Sequence, residues 1–162
     1  MAAVSDTSPI NYLALIGQIH ILPALFERII IPSAVAAELQ HPNTPAGVRT
    51  WLATSPAWLE IRAPATVDPT LVLGAGEVQA ISLALEIGAV PFLADDAQAR
   101  RAGAERGLKV VGTVAILAAA TRRGSLDFDE AVNRLGRTNF RAAPAVFAEV
   151  RRRLAEGESK PG

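Results

Sequence analysis

The 162-residue sequence contains no cysteine. Disulfides, thiolate metal sites and cysteine nucleophiles are therefore excluded, and nothing points to an oxidising compartment. Long hydrophobic runs are missing too. The apolar stretches are broken by Glu27 and Arg28, or extend only from Val110 to Ala120, which is too short to span a bilayer. The opening MAAVSDTSPI has neither the basic nor the apolar segment of a secretory signal, so the expectation is a cytoplasmic protein with no membrane partner. Net charge is also lacking: 16 Lys and Arg balance 16 Asp and Glu, which alone argues against an electrostatic grip on nucleic acid.

That neutrality conceals a segregation. Residues 1–99 carry nine acids, no lysine and only Arg28, Arg49 and Arg62, whereas residues 100–162 carry thirteen bases against seven acids. Half the residues are hydrophobic and a fifth are charged, the profile of a globular chain. The length suits a single domain, expected over residues 1–155 with residues 156–162 as a frayed tail.

Apolar runs and turn residues alternate along the chain. A strand at Ala2 to Val4 meets Asp6, and Ser8 followed by Pro9 has the form of a helix cap with proline in the first turn. RIII (Arg28 to Ile31) predicts a second strand, ending at Pro32, with Ser33 capping the helix AVAAELQ. Residues 41–58 predict a loop with a short helix, and Leu59 to Arg62 a minor strand. Beyond the connecting stretch APATVDPTLVLGAG come a helix from Ala75 to Ile87, a strand from Val90 to Ala94, a helix from Ala97 to Arg106 and a strand in KVVG. Helices at Val114 to Arg123, Phe128 to Gly136 and Pro144 to Ala155 close the chain. The strands read as continuous apolar runs, as strands covered on both faces do, and strand alternates with helix. The expected class is α/β, with a central parallel sheet and right-handed crossovers.

In such a sheet ligands bind beyond the carboxyl ends of the strands. Asp6 and the adjacent Asp95 and Asp96 fall there, each after a strand and before a helix, and Glu38 lies about one turn into the helix after the second strand. One of Asp95 and Asp96 is expected to cap the helix that follows; a second acid gains little from that role. Glu38 sits beside Val35 and Leu39 on its helix and so leans toward the core, while Glu77 heads a stripe continued by Ile81 and Leu85. A glutamate in a first helical turn also suits the helix dipole, so Glu77 has a structural reading as well. Five acids at one sheet edge, in a half-chain so poor in bases, repel one another and raise each other's pKa values. A hard divalent cation, Mg2+ or Mn2+ with water completing its shell, resolves that conflict. The two histidines, His20 and His41, lie outside this set and are read as surface or turn residues.

The segments VSDTSPINYLALIG, IIIPSAVAAEL, LGAGEVQAISLALEIGA, FLADDAQARRAGAERGLKVVGT and AILAAATRRG together resemble the PIN-domain superfamily, over about residues 2–140. Within it, they are most similar to short stand-alone proteins related to the VapC toxins. The resemblance implies an α/β/α sandwich and an acidic pocket holding one or two Mg2+ or Mn2+ ions for hydrolysis of RNA. It carries the metal-binding and catalytic roles onto Asp6, Glu38, Glu77 and Asp95 or Asp96, with Asp95 the preferred ligand and Asp96 next, and a hydroxylated neighbour role onto Thr7 or Ser8. Toxins of the group often have aspartate where Glu77 stands, which leaves the ion count open. Carboxylate-held ions activate a water and neutralise charge on a scissile phosphate, so no nucleophilic side chain is needed.

Arg100 and Arg101, with Arg122, Arg123, Arg134, Arg137 and Arg141, are candidates to hold phosphates, against the plainer reading of solvated helix faces. VRRRL near the end reads as a solvated helix or a contact for an antitoxin. The expected partners are RNA, a small antitoxin protein and a second copy of the chain. A haloacid-dehalogenase phosphatase is excluded because the position two residues after Asp6 is Ser8, and a receiver domain fits poorly because its acid pair belongs to the first strand. The remaining alternative is a PIN-like module that binds nucleic acid or protein without cutting.

Overall fold

The computed structural model describes residues 1–88 and 90–159. Its centre is a five-stranded, wholly parallel sheet in the order β3-β2-β1-β4-β5, built from β1 (Ala2–Ser5), β2 (Arg28–Ile31), β3 (Leu59–Ile61), β4 (Phe92–Leu93) and β5 (Val110–Val111). Side chains alternate between faces along each strand. Ala3, Ile29, Ile31 and Leu93 enter one core cluster, and Val4, Ile30, Phe92 and Ala94 the other. With both faces covered, the central positions of β1, β2 and β4 are apolar, and that is why these strands read as hydrophobic runs.

The second cluster is closed by α5 (Ala75–Ile87) and α6 (Ala97–Glu105). The first is closed by α1 (Thr7–Leu15), α2 (Ile21–Phe26), α3 (Ser33–Leu39), α4 (Ala46–Ala53), α7 (Thr113–Arg122), α8 (Phe128–Gly136) and α9 (Pro144–Ser159). This is the α/β/α sandwich. The bounds of α5 and α8 match those read from sequence. The short α2 was not anticipated: Pro23 stands in its first turn, and six residues are too few to display a helical period. At the other end, α9 continues to Ser159, into the stretch expected to fray; the expectation for residues 160–162 lies outside the described residues.

The caps differ from expectation in a way that matters for the site. Helix α1 starts at Thr7 with Asp6 in the N-cap position, not at Ser8, and the Asp6 side chain makes no cap hydrogen bond. Pro32, not Ser33, precedes α3. Asp96 caps α6, accepting from the Ala99 N–H at 3.0 Å.

The strand order fixes where a ligand can sit. The chain steps outward from β1 through β2 to β3, then returns to lay β4 on the other side of β1. The order reverses between β1 and β4, and open α/β sheets bind ligands at that point, outside the carboxyl ends of the strands. Asp6 follows β1 there, its N–H donating to Leu93 O at 2.9 Å, and Asp95 follows β4. Among the described residues no helix is long and apolar enough to cross a membrane.

Candidate functional site

A pocket of about 500 Å³ opens at the switch point, lined by all five carboxylates: Asp6, Glu38, Glu77, Asp95 and Asp96. They differ greatly in setting. Asp6 is only 5% exposed. Burial pushes its carboxyl from 3.8 up to about 7; a hydrogen bond from the Thr7 backbone opposes the shift, and the charges of Glu77, Glu38 and Asp95 add to it. Glu77 is half-buried at the start of α5 and is also raised, first by burial, then by the charge of Asp96 and, after an opposing Gly74 hydrogen bond, of Glu38. That bond reaches back to the residue in the N-cap position of α5, so Glu77 fulfils its structural reading while lining the pocket.

Glu38 is exposed at the pocket mouth, a correction to its expected lean toward the core. Val35 and Leu39 take the buried positions of the seven-residue α3, and Glu38 projects sideways to accept from Thr7 Oγ1 at 2.5 Å. Its approach depends on Gly76. A Cβ at Gly76 would stand 2.6 Å from Glu38 Oε1, inside any permitted contact. Gly76→Ala is therefore expected to displace the Glu38 carboxylate, the flexible end of a side chain, without disturbing backbone. Because alanine is the better helix former by up to ~1 kcal/mol, thermal stability should hold or rise while any activity that depends on the Glu38 carboxylate falls on the order of tenfold to a hundredfold. Lost stability with intact activity would refute this account of the glycine.

Asp95 and Asp96 have separate roles. Thr113, at the start of α7 and fully buried, donates its N–H to Asp95 Oδ1 at 2.8 Å and its hydroxyl to Oδ2 at 2.6 Å, and Ser8 Oγ donates to Oδ2 at 2.8 Å. Asp95 thus bolts the end of β4 to α1 and α7. Gly112 permits the fit, since a Cβ there would lie 3.3 Å from Asp95 Oδ1 and collide with the Arg100 guanidinium. Asp96 is exposed and spends Oδ2 on its cap, leaving Oδ1 with no hydrogen-bond donor among the described residues.

Of the two hydroxyls expected to support the site, Thr7 serves Glu38 and Ser8 serves Asp95. The arginines divide. Arg100 lies beside the pocket with its Nη1 donating to Ala94 O at 3.1 Å, whereas Arg101, exposed on α6, does not line the pocket. Arg122 and Arg123 end α7, about 15 Å along the helix from Thr113, and Arg123 donates to Ala24 O at the opposite end of the sheet layer. They do not frame the acidic pocket, which corrects the sequence reading: α7 begins at the site and carries them away from it. His20 and His41 are both exposed and outside the pocket, and His41 Nδ1 accepts the Asn43 N–H in a turn.

Sequence reasoning missed the rest of the wall. Asn11, Tyr12, Asn139 and Phe140 join Arg141 in lining the pocket. Tyr12 donates to Asn139 Oδ1 at 2.8 Å and packs edge-on against Phe140, ring centroids 5.0 Å apart. The signal for Asn11 and Tyr12 was their place one helical turn beyond Thr7 and Ser8. Residues 139–141, in the connection between α8 and α9, return to the pocket only through tertiary packing.

The donor set is all hard oxygen, suited to Mg2+ or Mn2+. Among the described residues none of the five carboxylates is ion-paired to a base, and Asp6 and Glu77 are raised first by burial and then by the charges of neighbouring acids. Among the same residues no three His, Asp or Glu side chains converge into a ready-made metal cage. The residues present suit a divalent ion by donor chemistry and by lining one pocket, and they are not drawn together into a cage.

Comparison with known proteins agrees with this geometry. No curated protein matches the chain. A PilT N-terminus domain protein from the hyperthermophilic archaeon Sulfolobus solfataricus P2 has a similar fold, with a TM-score of 0.55 at 19% identity, over 74% of this chain and 93% of that one. The family model DUF3368, a PIN domain, matches residues 2–156. With that match over nearly its whole length, and with acids gathered at the β1/β4 switch point, the chain belongs to the PIN domain family.

Proposed function

We propose that this chain is an endoribonuclease that hydrolyses RNA phosphodiester bonds with Mg2+ or Mn2+. PIN domains are commonly nucleases that use divalent ions. The observation that carries the finer reading is the common place of Asp6, Glu38, Glu77, Asp95 and Asp96, none ion-paired among the described residues, in the lining of one open pocket at the ligand-binding edge of the sheet.

Asp6, Glu38 and Glu77 are the principal holders of the ion, and Asp96 contributes through Oδ1. Asp95, with three hydrogen bonds already accepted, has room for one further contact on Oδ1 and acts chiefly by fixing the pocket wall. When bound, the divalent ion supplies Lewis-acid stabilisation of the phosphate and a water of lowered pKa. The chain's own part is to present its carboxylates at fixed positions. Thr7 holds Glu38, and Ser8 with Thr113 holds Asp95. Arg141 offers a guanidinium to the phosphate beside these acids. The same reading makes the chain a candidate toxin with a small protein antitoxin, acting as a homodimer.

Purified protein incubated with short RNAs and Mg2+ or Mn2+ is expected to cut them, and EDTA to abolish cutting. Cleavage that survives EDTA would overturn the metal-dependent reading. Binding of RNA with no cleavage under any divalent ion would establish the non-catalytic alternative.

A further inference from the structure

The acidic pocket does not stand alone. On one side it shares Asp95, Asp96, Phe140 and Arg141 with a groove of about 870 Å³ that runs between α6, the start of α7 and α9. On the other it shares Thr7, Asn11, Glu38 and Asn139 with a recess of about 440 Å³ beside the turn after α3. The three form one continuous trough with the carboxylates at its middle.

Its two arms differ in chemistry. The groove is lined by Arg100, Arg141 and Arg153. Among the described residues Arg100 and Arg141 make no ion pair: each gives one N–H to a backbone carbonyl, Ala94 O and Phe140 O respectively, out of five that a guanidinium carries. Arg153 shares Glu149 with Arg152. Five other arginines of the described chain, Arg28, Arg62, Arg106, Arg134 and Arg151, are paired to carboxylates away from the trough. The recess has no Lys or Arg in its lining; its polar groups include the amides of Asn11, Asn43 and Asn139. Tyr12 donates to Asn139 Oδ1 and so leaves the Asn139 NH2 free to donate toward a ligand.

Guanidinium groups suit phosphates, and side-chain amides suit base edges. We propose that the trough is a track for a single RNA strand whose backbone is gripped in the groove by Arg100, Arg141 and Arg153, while bases on the other side of the scissile phosphate are read in the recess by Asn11 and Asn139. A single strand is required because paired bases keep their edges out of reach of such amides. The proposal rests on the ribonuclease reading and adds to it a substrate form and a division of labour.

The test is binding, measured apart from cleavage. Fluorescently labelled oligouridylate and oligoadenylate are titrated with the full chain in EDTA over a range of salt. Arg100→Gln and Arg153→Gln, both exposed, are each expected to weaken binding to either RNA alike and to lower the log-log salt slope by about one. Arg122→Gln, at the far end of α7, should leave the slope unchanged. Asn11→Ala and Asn139→Ala should preserve the slope and change the ratio of the two affinities roughly fivefold. Duplex RNA bound as tightly as single strands, a slope indifferent to Arg100 and Arg153, or asparagine variants that affect both RNAs equally would each overturn the track. Failure of the parent reading looks different: RNA bound with these slopes but never cut in Mg2+ or Mn2+ removes the nuclease and keeps the track. Thermal unfolding of each variant confirms that the comparison is made between folded proteins.

Discussion

Asp6→Asn is expected to abolish RNA cleavage and, in metal-free protein above neutral pH, to make the fold more stable. The two effects share one cause. Asp6 is buried, in no ion pair, and surrounded by Glu77, Glu38 and Asp95, so its carboxyl is raised from 3.8 to about 7. Between these values the folded protein holds a proton that the unfolded chain has released. Stability therefore falls as pH rises from 3.8 toward about 7, and the full penalty is present above the folded-state value. A shift of roughly three units corresponds to at most about 4 kcal/mol, and relaxation around the charge reduces it to a few. Asparagine has nearly the same shape and no charge. Urea unfolding in EDTA should show the variant ahead by about 1–3 kcal/mol near pH 8, with the gain gone near pH 4. Cleavage should fall on the order of a hundredfold to ten-thousandfold, since several kcal/mol of transition-state stabilisation depend on the held ion. Added Mg2+ or Mn2+ should raise the unfolding midpoint of the parent and not of the variant. An asparagine variant that cuts as well as its parent would sink the assignment of Asp6, and one that gains nothing at high pH would show that the charge is already compensated.

The second large effect separates the neighbouring aspartates. Asp95→Ala removes the acceptor for the N–H and hydroxyl of fully buried Thr113 and for the Ser8 hydroxyl. Buried donors left without partners cost about 1–3 kcal/mol each; hydroxyls can turn elsewhere, so a total near 3 kcal/mol is expected. Asp96→Ala removes one cap bond from an exposed residue, worth about 1 kcal/mol. Denaturant midpoints should rank the parent above Asp96→Ala and Asp96→Ala above Asp95→Ala. Asp95→Asn should recover most of the loss, because its carbonyl still accepts from Thr113 and the two hydroxyls can accept from its NH2. A reversed ranking would mean that the roles of the two residues are exchanged.

Much of the architecture was legible along the chain. Ile29, Ile30 and Ile31 have no polar face, which already requires cover on both sides of the sheet. Gly74 and Gly88 bracket α5, and Asp127 caps α8 by accepting from Glu130 N–H, so the ends of these helices are local facts. The site was legible in outline for a topological reason: in a parallel sheet all strand ends that precede helices share one edge, so acids after β1 and β4 must meet. The lean of Glu38 was misread because it stands beside the buried stripe of Val35, Ala36 and Leu39, and two turns of helix do not show on which flank of a stripe burial ends, and Arg122 and Arg123 were misplaced because a run of bases does not reveal which end of a helix faces the site.

The sequence by itself determined the layers, the parallel sheet and the gathering of Asp6, Glu38, Glu77, Asp95 and Asp96 at one edge, because apolar period, caps and strand-to-helix order are local properties. Tertiary structure alone decided what each acid does there. Asp95 became a bolt because Thr113 and Ser8, 18 and 87 residues distant in the chain, donate to it, and Asp96 was left to cap α6 and face the pocket. Glu38 reached the mouth because Gly76 has no Cβ, and Asn139, Phe140 and Arg141 arrived from between α8 and α9 to complete the wall. Such contacts depend on distances between side chains far apart in sequence, which no local pattern encodes.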